Sequence, residues 1–134
     1  MADLGQQIEQ LGQQARAAAR VLALSSKDQK NAALMAMADA LEASGEDILA
    51  ANGRDLAAAP GYGLNAAAVD RLKLDAARVR AMAEGVRQVA SLPDPCGEII
   101  REWTRPNGIT ITKIRVPIGV VGIIYESRPN VTAD

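Results

Sequence analysis

The chain has 134 residues, of which 49% are apolar and 23% are charged, with a net charge of −1 and an isoelectric point near 5.5. This composition is that of one soluble globular domain and excludes an intrinsically disordered chain, while the slightly acidic balance argues against a nucleic-acid-binding protein. A single cysteine excludes an internal disulfide framework.

No targeting or membrane-spanning signal is found in the sequence. The first residues, MADLGQQIEQLGQQ, lack both the basic region and the apolar region of a signal peptide. The longest apolar run, Val116 to Tyr125, is far too short to cross the ~30 Å hydrocarbon core of a bilayer. We therefore expect a cytoplasmic protein.

The composition changes along the chain. Most of the alanine lies before Ser91, whereas eight of the ten isoleucines lie between Ile99 and Ile124. Because alanine favours helices and β-branched residues favour strands, we expect helices first and extended structure afterwards. The chain has no phenylalanine, so any core must be built from small and aliphatic side chains.

Two long helices are predicted first, from apolar residues spaced three or four apart. The first, from about Asp3 to Ala23, has one stripe that we expect to be buried: Leu4, Ile8, Leu11, Ala15, Ala19 and Leu22. The second starts at the capping box Ser26–Gln29 and ends at Gly45. Its inward-facing residues are expected to be Leu34, Met37, Ala38 and Leu41.

Three shorter helical segments follow. One runs from about Glu46 to Ala59 and is expected to be interrupted near Asn52–Gly53. Another, near Asn65 to Leu72, precedes Asp75, which is a good N-cap for a helix from Ala76 to Ser91. The apolar stripe predicted for that last helix consists of Val79, Met82, Val86 and Val89.

A β-hairpin is predicted between Glu98 and Pro117, with its turn at Arg105-Pro106-Asn107-Gly108. Asn-Gly favours a tight hairpin turn because both residues tolerate a positive φ. If Asn107 and Gly108 form a two-residue loop, Glu102 faces Lys113 across the strands as an attractive pair. Pro106 could instead shift the turn by one residue.

The run Val116 to Tyr125 has the nearly continuous apolar character of a buried parallel strand. Its glycines, Gly119 and Gly122, do not form the G-x-G-x-x-G fingerprint, so we expect them to allow close packing. The polar segment Glu126–Asn130 follows at once, and in open α/β sheets ligands bind beyond the carboxyl ends of parallel strands. From the residues alone this segment is either part of a binding site or a loop that merely caps the strand.

Cysteine and metal chemistry have little support in the sequence. Cys96 lies in a Pro-Asp-Pro-Cys-Gly turn, and the chain has no histidine that could activate it, so we interpret it as inert. The carboxylates are scattered over helical faces, and no metal site is predicted. Asp70 and the arginines at positions 71, 78, 80 and 87 are interpreted as solvated charges.

Several stretches resemble the gamma-glutamyl phosphate reductase family of the aldehyde dehydrogenase superfamily. VPIGVVGIIYESRPNVTAD is similar to the first strand and loop of that family's cofactor domain. Its YESRPN separates it from ordinary aldehyde dehydrogenases, whose loop carries a Pro-Trp-Asn pattern. LAANGRDLAAA, DRLKLDAARVRAMAEGVRQVASLPDP and the hairpin are similar to the family in the same order, so the resemblance covers nearly the whole chain.

The resemblance implies an α/β fold. An N-terminal helical segment (residues 1–97) and a β-hairpin with oligomerisation-type strands (98–117) would precede the first strand and loop of a Rossmann-like cofactor domain (118–134). It also implies that this chain is the N-terminal portion of a longer protein, because family members are several-fold longer. Their nucleophilic cysteine lies in the remaining part, and Cys96 does not match it.

For activity, the resemblance implies an NADPH-dependent reductase of proline biosynthesis, converting L-glutamyl 5-phosphate to L-glutamate 5-semialdehyde and phosphate through a cysteine thioester. The implied partners are this small-molecule substrate, further copies of the chain in a homo-oligomer, and the upstream glutamate kinase. The chain by itself is expected to be inactive.

The resemblance also points to candidate site residues in the polar segment. Arg128 and Asn130 are candidates for binding the oxyanion or the phosphate of the substrate. In aldehyde dehydrogenases the corresponding Asn precedes the proline of this loop, whereas here Asn130 follows it, so the two candidates are not separated. Tyr125, Glu126 and Ser127 are expected to line the cofactor cleft.

Two other functions are compatible with the residues. One is a stand-alone helical interaction module whose hairpin pairs with a partner chain; such a module would hide Val116 to Ile124 within a monomer, whereas a fragment would expose it and self-associate. The other is a dinucleotide-binding protein of a different kind, which is weaker because the glycine fingerprint is missing.

Overall fold

The structure, a computed structural model, describes residues 3–134 and consists of five α-helices followed by a two-stranded sheet. The order of helices first and strands afterwards is as predicted. The helices are α1 (Leu4–Leu22), α2 (Lys27–Ala43), α3 (Gly45–Ala58), α4 (Ala66–Leu72) and α5 (Ala76–Ser91). The strands are β1 (Ile99–Thr104) and β2 (Thr110–Ile114), and two short 3₁₀ turns lie at Ala59–Tyr62 and Pro129–Thr132.

The chain forms two compact units. The first contains the residues up to Lys27 together with Pro93–Gly122, so it holds α1 and the hairpin. The second contains Asp28–Leu92 together with Ile123–Asp134, so it holds the other helices and the C-terminal polar segment.

Helix α1 has the predicted bounds but not the predicted burial. It begins after Asp3, whose side chain accepts a 3.1 Å hydrogen bond from the amide of Gly5, and it ends at Leu22. None of its residues is buried, and Leu4 is 70% exposed, so the expectation of a buried stripe is wrong. The isoleucine side chains of the hairpin in the same unit are exposed as well. The hairpin therefore does not cover the apolar stripe of α1.

The core of the second unit is small, and it is built from alanine and valine as the composition requires. Ala38 of α2 lies at its centre with Ala83 and Val86 of α5, and Leu34 and Leu41 pack against them partly buried. Met37 was also expected to face inward, but its side chain is half exposed.

The buried face of α5 differs by one position from the predicted stripe. Met82 is only half-buried and Val89 is exposed, so these two predictions are wrong. Alanine allows the neighbouring helix to approach closely, and the buried stripe is therefore centred on the small residues of the helix. Its members are Val79, Ala83, Val86 and Ala90, which follow the spacing of one helical face.

The junction between α2 and α3 also differs from the prediction. Helix α2 begins directly after Ser26, as expected, but it ends at Ala43 rather than at Gly45. Gly45 is instead the first residue of α3, so Ser44 alone separates the two helices.

Helix α3 runs without the break that was expected at Asn52–Gly53. Asn52 is buried, and its side chain bonds to the backbone of the α4–α5 turn rather than to its own helix. Asparagine disfavours a helix interior mainly because it competes for local backbone groups. Tertiary hydrogen bonds remove that competition here.

The hairpin is confirmed, but in the alternative register. Glu102 lies opposite Thr112, whose hydroxyl donates a 2.8 Å hydrogen bond to its carboxylate, and Arg101 lies opposite Lys113. The expected pairing of Glu102 with Lys113 is therefore wrong.

The turn explains this register. The amide of Arg105 donates to the carbonyl oxygen of Ile109 over 2.8 Å, which leaves a three-residue loop, Pro106–Gly108. Gly108 has a φ of 83°, the left-handed conformation that ends loops of this length. The fixed φ of proline suits the first position of the loop, and Pro106 thus shifts the turn by one residue.

The run Val116–Tyr125 does not pair as a strand, and its apolar side chains are exposed; Ile118, for example, is 90% exposed. The expected burial is therefore wrong for this chain. A parallel strand is buried by neighbouring strands and by helices on both faces, and between residues 3 and 134 only β1 and β2 pair. None of the helices in this range is long and apolar enough to cross a membrane.

Candidate functional site

The C-terminal polar segment is held in shape by its own contacts. Residues 129–132 form a 3₁₀ turn, and the hydroxyls of Tyr125 and Thr132 lie 2.5 Å apart across it. The side-chain amide of Asn130 donates a 2.9 Å hydrogen bond to the carboxylate of Asp134. These contacts place Arg128 and Asn130 on a short, ordered turn.

Ser127 has an unusual backbone conformation. Its φ of 52° is the only positive φ of a non-glycine residue between positions 3 and 134. For a residue with a Cβ the left-handed conformation costs roughly 1–2 kcal/mol, and such strain is often found at ligand-binding sites. Ser127 directly precedes Arg128, and its left-handed backbone conformation directs the chain into the 3₁₀ turn at Pro129–Thr132.

The turn between α4 and α5 is organised by Arg78. One guanidinium nitrogen of Arg78, Nη1, donates to the carbonyl oxygens of Asp70 and Lys73, over 2.6 and 2.5 Å. The other, Nη2, lies 3.3 Å from the carboxylate of Asp70. Arg78 and Asp70 therefore link the two helices, while their side chains remain 44% and 72% exposed, in agreement with their interpretation as solvated charges.

Asp75 caps α5 at the same turn, as predicted. Its carboxylate accepts a 2.8 Å hydrogen bond from the backbone amide of Arg78, and this bond is the main cause that lowers the pKa of Asp75. The carboxylate is thus held in its charged form at the start of the helix, where the helix dipole also favours negative charge.

A cleft of about 390 Å³ joins this turn to the polar segment. Leu74, Ala81 and Met82 supply its apolar wall. Its polar side chains are Asp70, Arg71, Lys73 and Arg78 from the helices, and Arg128, Asn130 and Asp134 from the segment. Four of these side chains are cationic and two are anionic, so the cleft favours an anionic ligand.

Two of the cations in the cleft form no hydrogen bond or ion pair within residues 3–134, although the charge of Lys73 acts on the nearby Asp75 carboxylate and helps to lower its pKa. Arg71 donates to the carbonyl oxygen of Ala67, and Arg78 binds Asp70 as described. Within residues 3–134, the ammonium of Lys73 and the guanidinium of Arg128 make no hydrogen bond or ion pair. Both groups therefore remain available to an anion that enters the cleft.

The structure brings together some of the predicted site residues and not others. Arg128 and Asn130 line the same cleft. Tyr125, Glu126 and Ser127, the predicted cofactor residues, are not among the residues that line it. Tyr125 and Glu126 are exposed and Ser127 is half-buried.

A second cavity, of about 580 Å³, lies beside the 3₁₀ turn and is mainly apolar. Met37, Leu41 and Ile48 line it on the helical side, and Pro129 and Ala133 line it on the side of the segment. Asp55 is its one charged lining residue. This cavity is thus unsuited to an anion, and it shares the lining residues Leu74 and Met82 with the cationic cleft.

Cys96 belongs to the first unit and is not among the residues that line the cleft. It is exposed, and its backbone amide donates to the carboxylate of Asp94. No group of three potential metal ligands occurs among residues 3–134.

Sequence reasoning did not select Lys73 or Arg78 as site residues. Both occur in the stretch DRLKLDAARVR, where basic residues recur on either side of the Asp75 cap. That pattern places several cations at one helix–helix turn, which is a usable signal. Each of these basic residues, taken singly, is also compatible with a solvated helical face, and for this reason the sequence alone does not identify them as site residues.

Comparison with known proteins gives a consistent result for nearly the whole chain, although no protein-family model matches it. The chain is 57% identical over 124 residues to gamma-glutamyl phosphate reductase of Mesorhizobium japonicum and 57% identical over 133 residues to that of Rhodopseudomonas palustris. These matches cover 92% and 99% of the chain. The chain is similar to the N-terminal part of gamma-glutamyl phosphate reductases.

Solved structures of these reductases share the fold. The enzyme from Thermotoga maritima matches with a TM-score of 0.84 and 41% identity over 90% of the chain. The enzyme from Saccharomyces cerevisiae matches with a TM-score of 0.82 and 35% identity over 92% of the chain. The resemblance read from YESRPN and the predicted fold class are confirmed.

The chain spans about 30% of the length of the curated reductases that it matches, with 29% and 31% covered in the two cases above. It likewise covers 29% and 32% of the two crystallised reductases. The similarity therefore concerns one part of a longer enzyme.

Proposed function

We propose that this chain is the N-terminal portion of an NADPH-dependent reductase of proline biosynthesis. The longer protein converts L-glutamyl 5-phosphate to L-glutamate 5-semialdehyde and phosphate. The observation that carries the proposal is the 57% identity to gamma-glutamyl phosphate reductase over 92% of the chain. The cationic cleft is compatible with a phosphorylated substrate.

In this proposal the reaction begins when a cysteine thiolate from the rest of the protein attacks the acyl carbon of the substrate. The acyl–oxygen bond breaks, phosphate leaves, and a thioester remains. Addition of a hydride to the thioester carbon gives a tetrahedral thiohemiacetal anion; its carbon–sulfur bond then breaks, which releases the semialdehyde and restores the cysteine thiolate. The tetrahedral species on this path carry negative oxygen, so hydrogen-bond donors fixed at that position accelerate the reaction.

Arg128 and Asn130 are the donors that this chain contributes. The Arg128 guanidinium is without a protein partner within residues 3–134, and its planar fork suits a phosphate or an oxyanion. The Asn130 amide already donates one hydrogen to Asp134 and keeps a second for a ligand. Both side chains open into one cleft, so they can act on the same substrate.

Tyr125, Glu126 and Ser127 are the residues that would contact NADPH. Glu126 is exposed and offers a carboxylate, and Ser127 offers a hydroxyl, groups that suit the ribose hydroxyls of a dinucleotide. When bound, NADPH supplies the hydride for the reduction. The role of these residues is to position the cofactor at the edge of the site.

The remaining assignments belong to the same proposal. Residues 1–97 are the helical part of the cofactor domain, residues 98–117 an oligomerisation hairpin, and residues 118–134 the first strand and loop of the nucleotide-binding sheet. The longer protein belongs to the aldehyde dehydrogenase superfamily, is cytoplasmic, forms homo-oligomers and works with the upstream glutamate kinase. It needs no metal.

The alternative is a stand-alone helical interaction module without catalysis. The exposed isoleucines of the hairpin, such as Ile99 at 59%, favour some partner for this surface. A self-sufficient module, however, should bury Val116–Ile124 within itself, and these side chains are exposed. This exposure supports the first proposal, in which other parts of a longer protein cover the segment.

The test is an assay of two purified proteins, the 134-residue chain and the longer protein in which a catalytic domain follows it. With L-glutamate 5-semialdehyde, phosphate and NADP⁺, we expect NADPH formation only with the longer protein. A Cys96→Ser variant of the longer protein should keep full activity, whereas replacing the later nucleophilic cysteine should abolish it. Turnover by the 134-residue chain, or loss of turnover in Cys96→Ser, contradicts the proposal.

A further inference from the structure

The α4–α5 turn contains Lys73, a cation to which the proposed function assigns no role. Lys73 follows the last residue of α4 and lines the same cleft that Arg128 lines from the polar segment. Neither group has a hydrogen-bond or ion-pair partner within the described part of the chain. Two cations from separate segments of the chain, neither with a hydrogen bond or ion pair, thus line one space of about 390 Å³.

The backbone that carries Lys73 is fixed by three consecutive hydrogen bonds. Asn52 donates to the carbonyl oxygen of Leu72 over 2.8 Å and accepts from the amide of Leu74 over 2.8 Å. Between them, Arg78 donates to the carbonyl oxygen of Lys73 itself. A purely solvated lysine does not need such a frame, whereas a ligand-binding residue gains from having its backbone held in place.

The acidic residues of the cleft do not neutralise this pair. Asp70 is bound to Arg78, and Asp134 accepts from Asn130. The side chains that line the cleft therefore have an excess of two positive charges, and Lys73 and Arg128 are the two cations among them without a hydrogen bond or ion pair. Asp75, which does not line the cleft, is the carboxylate on which the charge of Lys73 acts. That charge matches a phosphoryl group, which carries nearly two negative charges at neutral pH, better than it matches a single carboxylate.

We propose that Lys73 and Arg128 together bind the phosphoryl group of the substrate, with Arg78 as the residue that positions Lys73. This inference rests on the proposed reductase function and adds Lys73 and Arg78 to its site. Arg128 supplies a planar donor fork, and Lys73 supplies a point charge with three donors. The phosphoryl group is held on one side by the polar segment and on the other by the α4–α5 turn.

The test measures binding rather than turnover, so its failure differs from failure of the reductase assay. Inorganic phosphate is titrated into the 134-residue chain at constant ionic strength, and backbone amide shifts are followed by NMR. We expect saturable shifts in residues 70–78 and 128–134. Acetate, titrated in the same way, should bind several-fold more weakly, because it carries one charge instead of nearly two.

Four variants sharpen the test. Lys73→Gln and Arg128→Gln should each raise the Kd for phosphate about tenfold, the usual loss for one charge-assisted hydrogen bond. Asp134→Asn should lower the Kd, because it removes a repelling carboxylate from the cleft. Arg54→Gln, an exposed cation of α3 outside the cleft, should leave the Kd unchanged and serves as the matched control.

Lys73→Arg keeps the charge and should retain most of the binding, which separates lost charge from disturbed folding. An unchanged Kd in Lys73→Gln, equal binding of acetate and phosphate, or an equal loss in Arg54→Gln overturns the proposal. If the longer protein lacks reductase activity while phosphate binds as described, the proposed function fails and the binding site stands.

Discussion

The side chain of Asn52, in the middle of α3, accepts a 2.8 Å hydrogen bond from the backbone amide of Leu74, twenty-two positions later in the chain. The same side chain donates to the carbonyl oxygen of Leu72, so it bonds on both sides of Lys73. Asn52 is only 4% exposed, and the two hydrogen bonds are partly shielded from water. The side-chain amide of Asn52 therefore fixes the turn whose residues Lys73 and Leu74 line the cationic cleft.

Replacing this amide should destabilise the second unit. We expect Asn52→Ala to lower the free energy of unfolding by about 1–3 kcal/mol, because it leaves a partly buried amide and a partly buried carbonyl oxygen without their partner. Urea denaturation of the chain measures the change. Arg54→Ala, two positions away on the exposed face of the same helix, should change it by less than about 0.5 kcal/mol. Equal losses in the two variants would mean that the helix, and not the hydrogen bonds, is responsible.

Arg87 connects α5 to α2 and should make stability depend on pH. Its guanidinium binds both carboxylate oxygens of Glu42, over 2.9 and 3.0 Å, and one oxygen of Asp39 over 2.9 Å. The hydrogen bond from Arg87 is the main cause that lowers the pKa of Glu42 below its ordinary value of 4.5. Glu42 and Asp39 in turn raise the pKa of Arg87, so this arginine stays charged. Its earlier interpretation as a solvated charge is wrong.

The direction of the pH effect follows from the lowered pKa. The unfolded chain binds a proton at Glu42 near pH 4.5, whereas the folded chain binds it only at lower pH. The stabilisation is therefore complete above pH 4.5 and is lost as the pH falls through the folded pKa. In melting curves from neutral to acidic pH, Arg87→Gln should lower the melting temperature at neutral pH, and the difference from the parent chain should shrink below pH 4.5. With Arg54→Gln as control, a difference that does not change with pH would count against this account.

Gly108 should be required for the hairpin turn. Its φ of 83° is costly for any residue with a Cβ, so Gly108→Ala should destabilise the hairpin by about 1 kcal/mol. Gly12, in the middle of α1 with open space around it, is the opposite case. Gly12→Ala should stabilise that helix by about 1 kcal/mol. Amide hydrogen exchange in β1, β2 and α1 measures both changes. If Gly12→Ala also made the hairpin amides exchange faster, the two glycines would not have the separate roles described.

The two candidate donors of the polar segment can be separated in the longer protein. If Asn130 acts on the oxyanion, Asn130→Ala should lower kcat about 100-fold or more with little change in KM. If Arg128 binds the phosphoryl group, Arg128→Gln should mainly raise KM for the phosphorylated substrate. Steady-state kinetics measure both, and Tyr62→Phe, an exposed substitution outside the cleft, is the control. Unchanged kinetics in both variants would remove the two residues from the site.

Helix positions were predictable because they depend on local features. The N-caps Asp3, Asn65 and Asp75 each accept a hydrogen bond from a backbone amide two or three residues later, and the helices begin where these residues indicate. The likeness to gamma-glutamyl phosphate reductases was also readable from YESRPN and from the order of the similar stretches. These signals lie within a few neighbouring residues, and the sequence displays them directly.

The failed expectations concern contacts between distant residues. The 3–4 spacing of α5 allows two neighbouring stripes, and only packing against Ala38 of α2 selects the one with Ala83 and Ala90. The spacing in α1 predicts an apolar face but not what covers it, and Leu4 remains exposed. The hairpin signal allowed two registers, which differ by one residue and which local propensity does not separate.

By itself, the sequence determined the helices, the presence of the hairpin and the likeness to a reductase, because each depends on the order and spacing of neighbouring residues. The tertiary structure alone decided that Arg128 and Lys73 share a cleft although they lie fifty-five positions apart. It also decided that a buried asparagine fixes the turn that carries Lys73. Proximity across such a separation depends on how the helices pack, and no local pattern of residues records it.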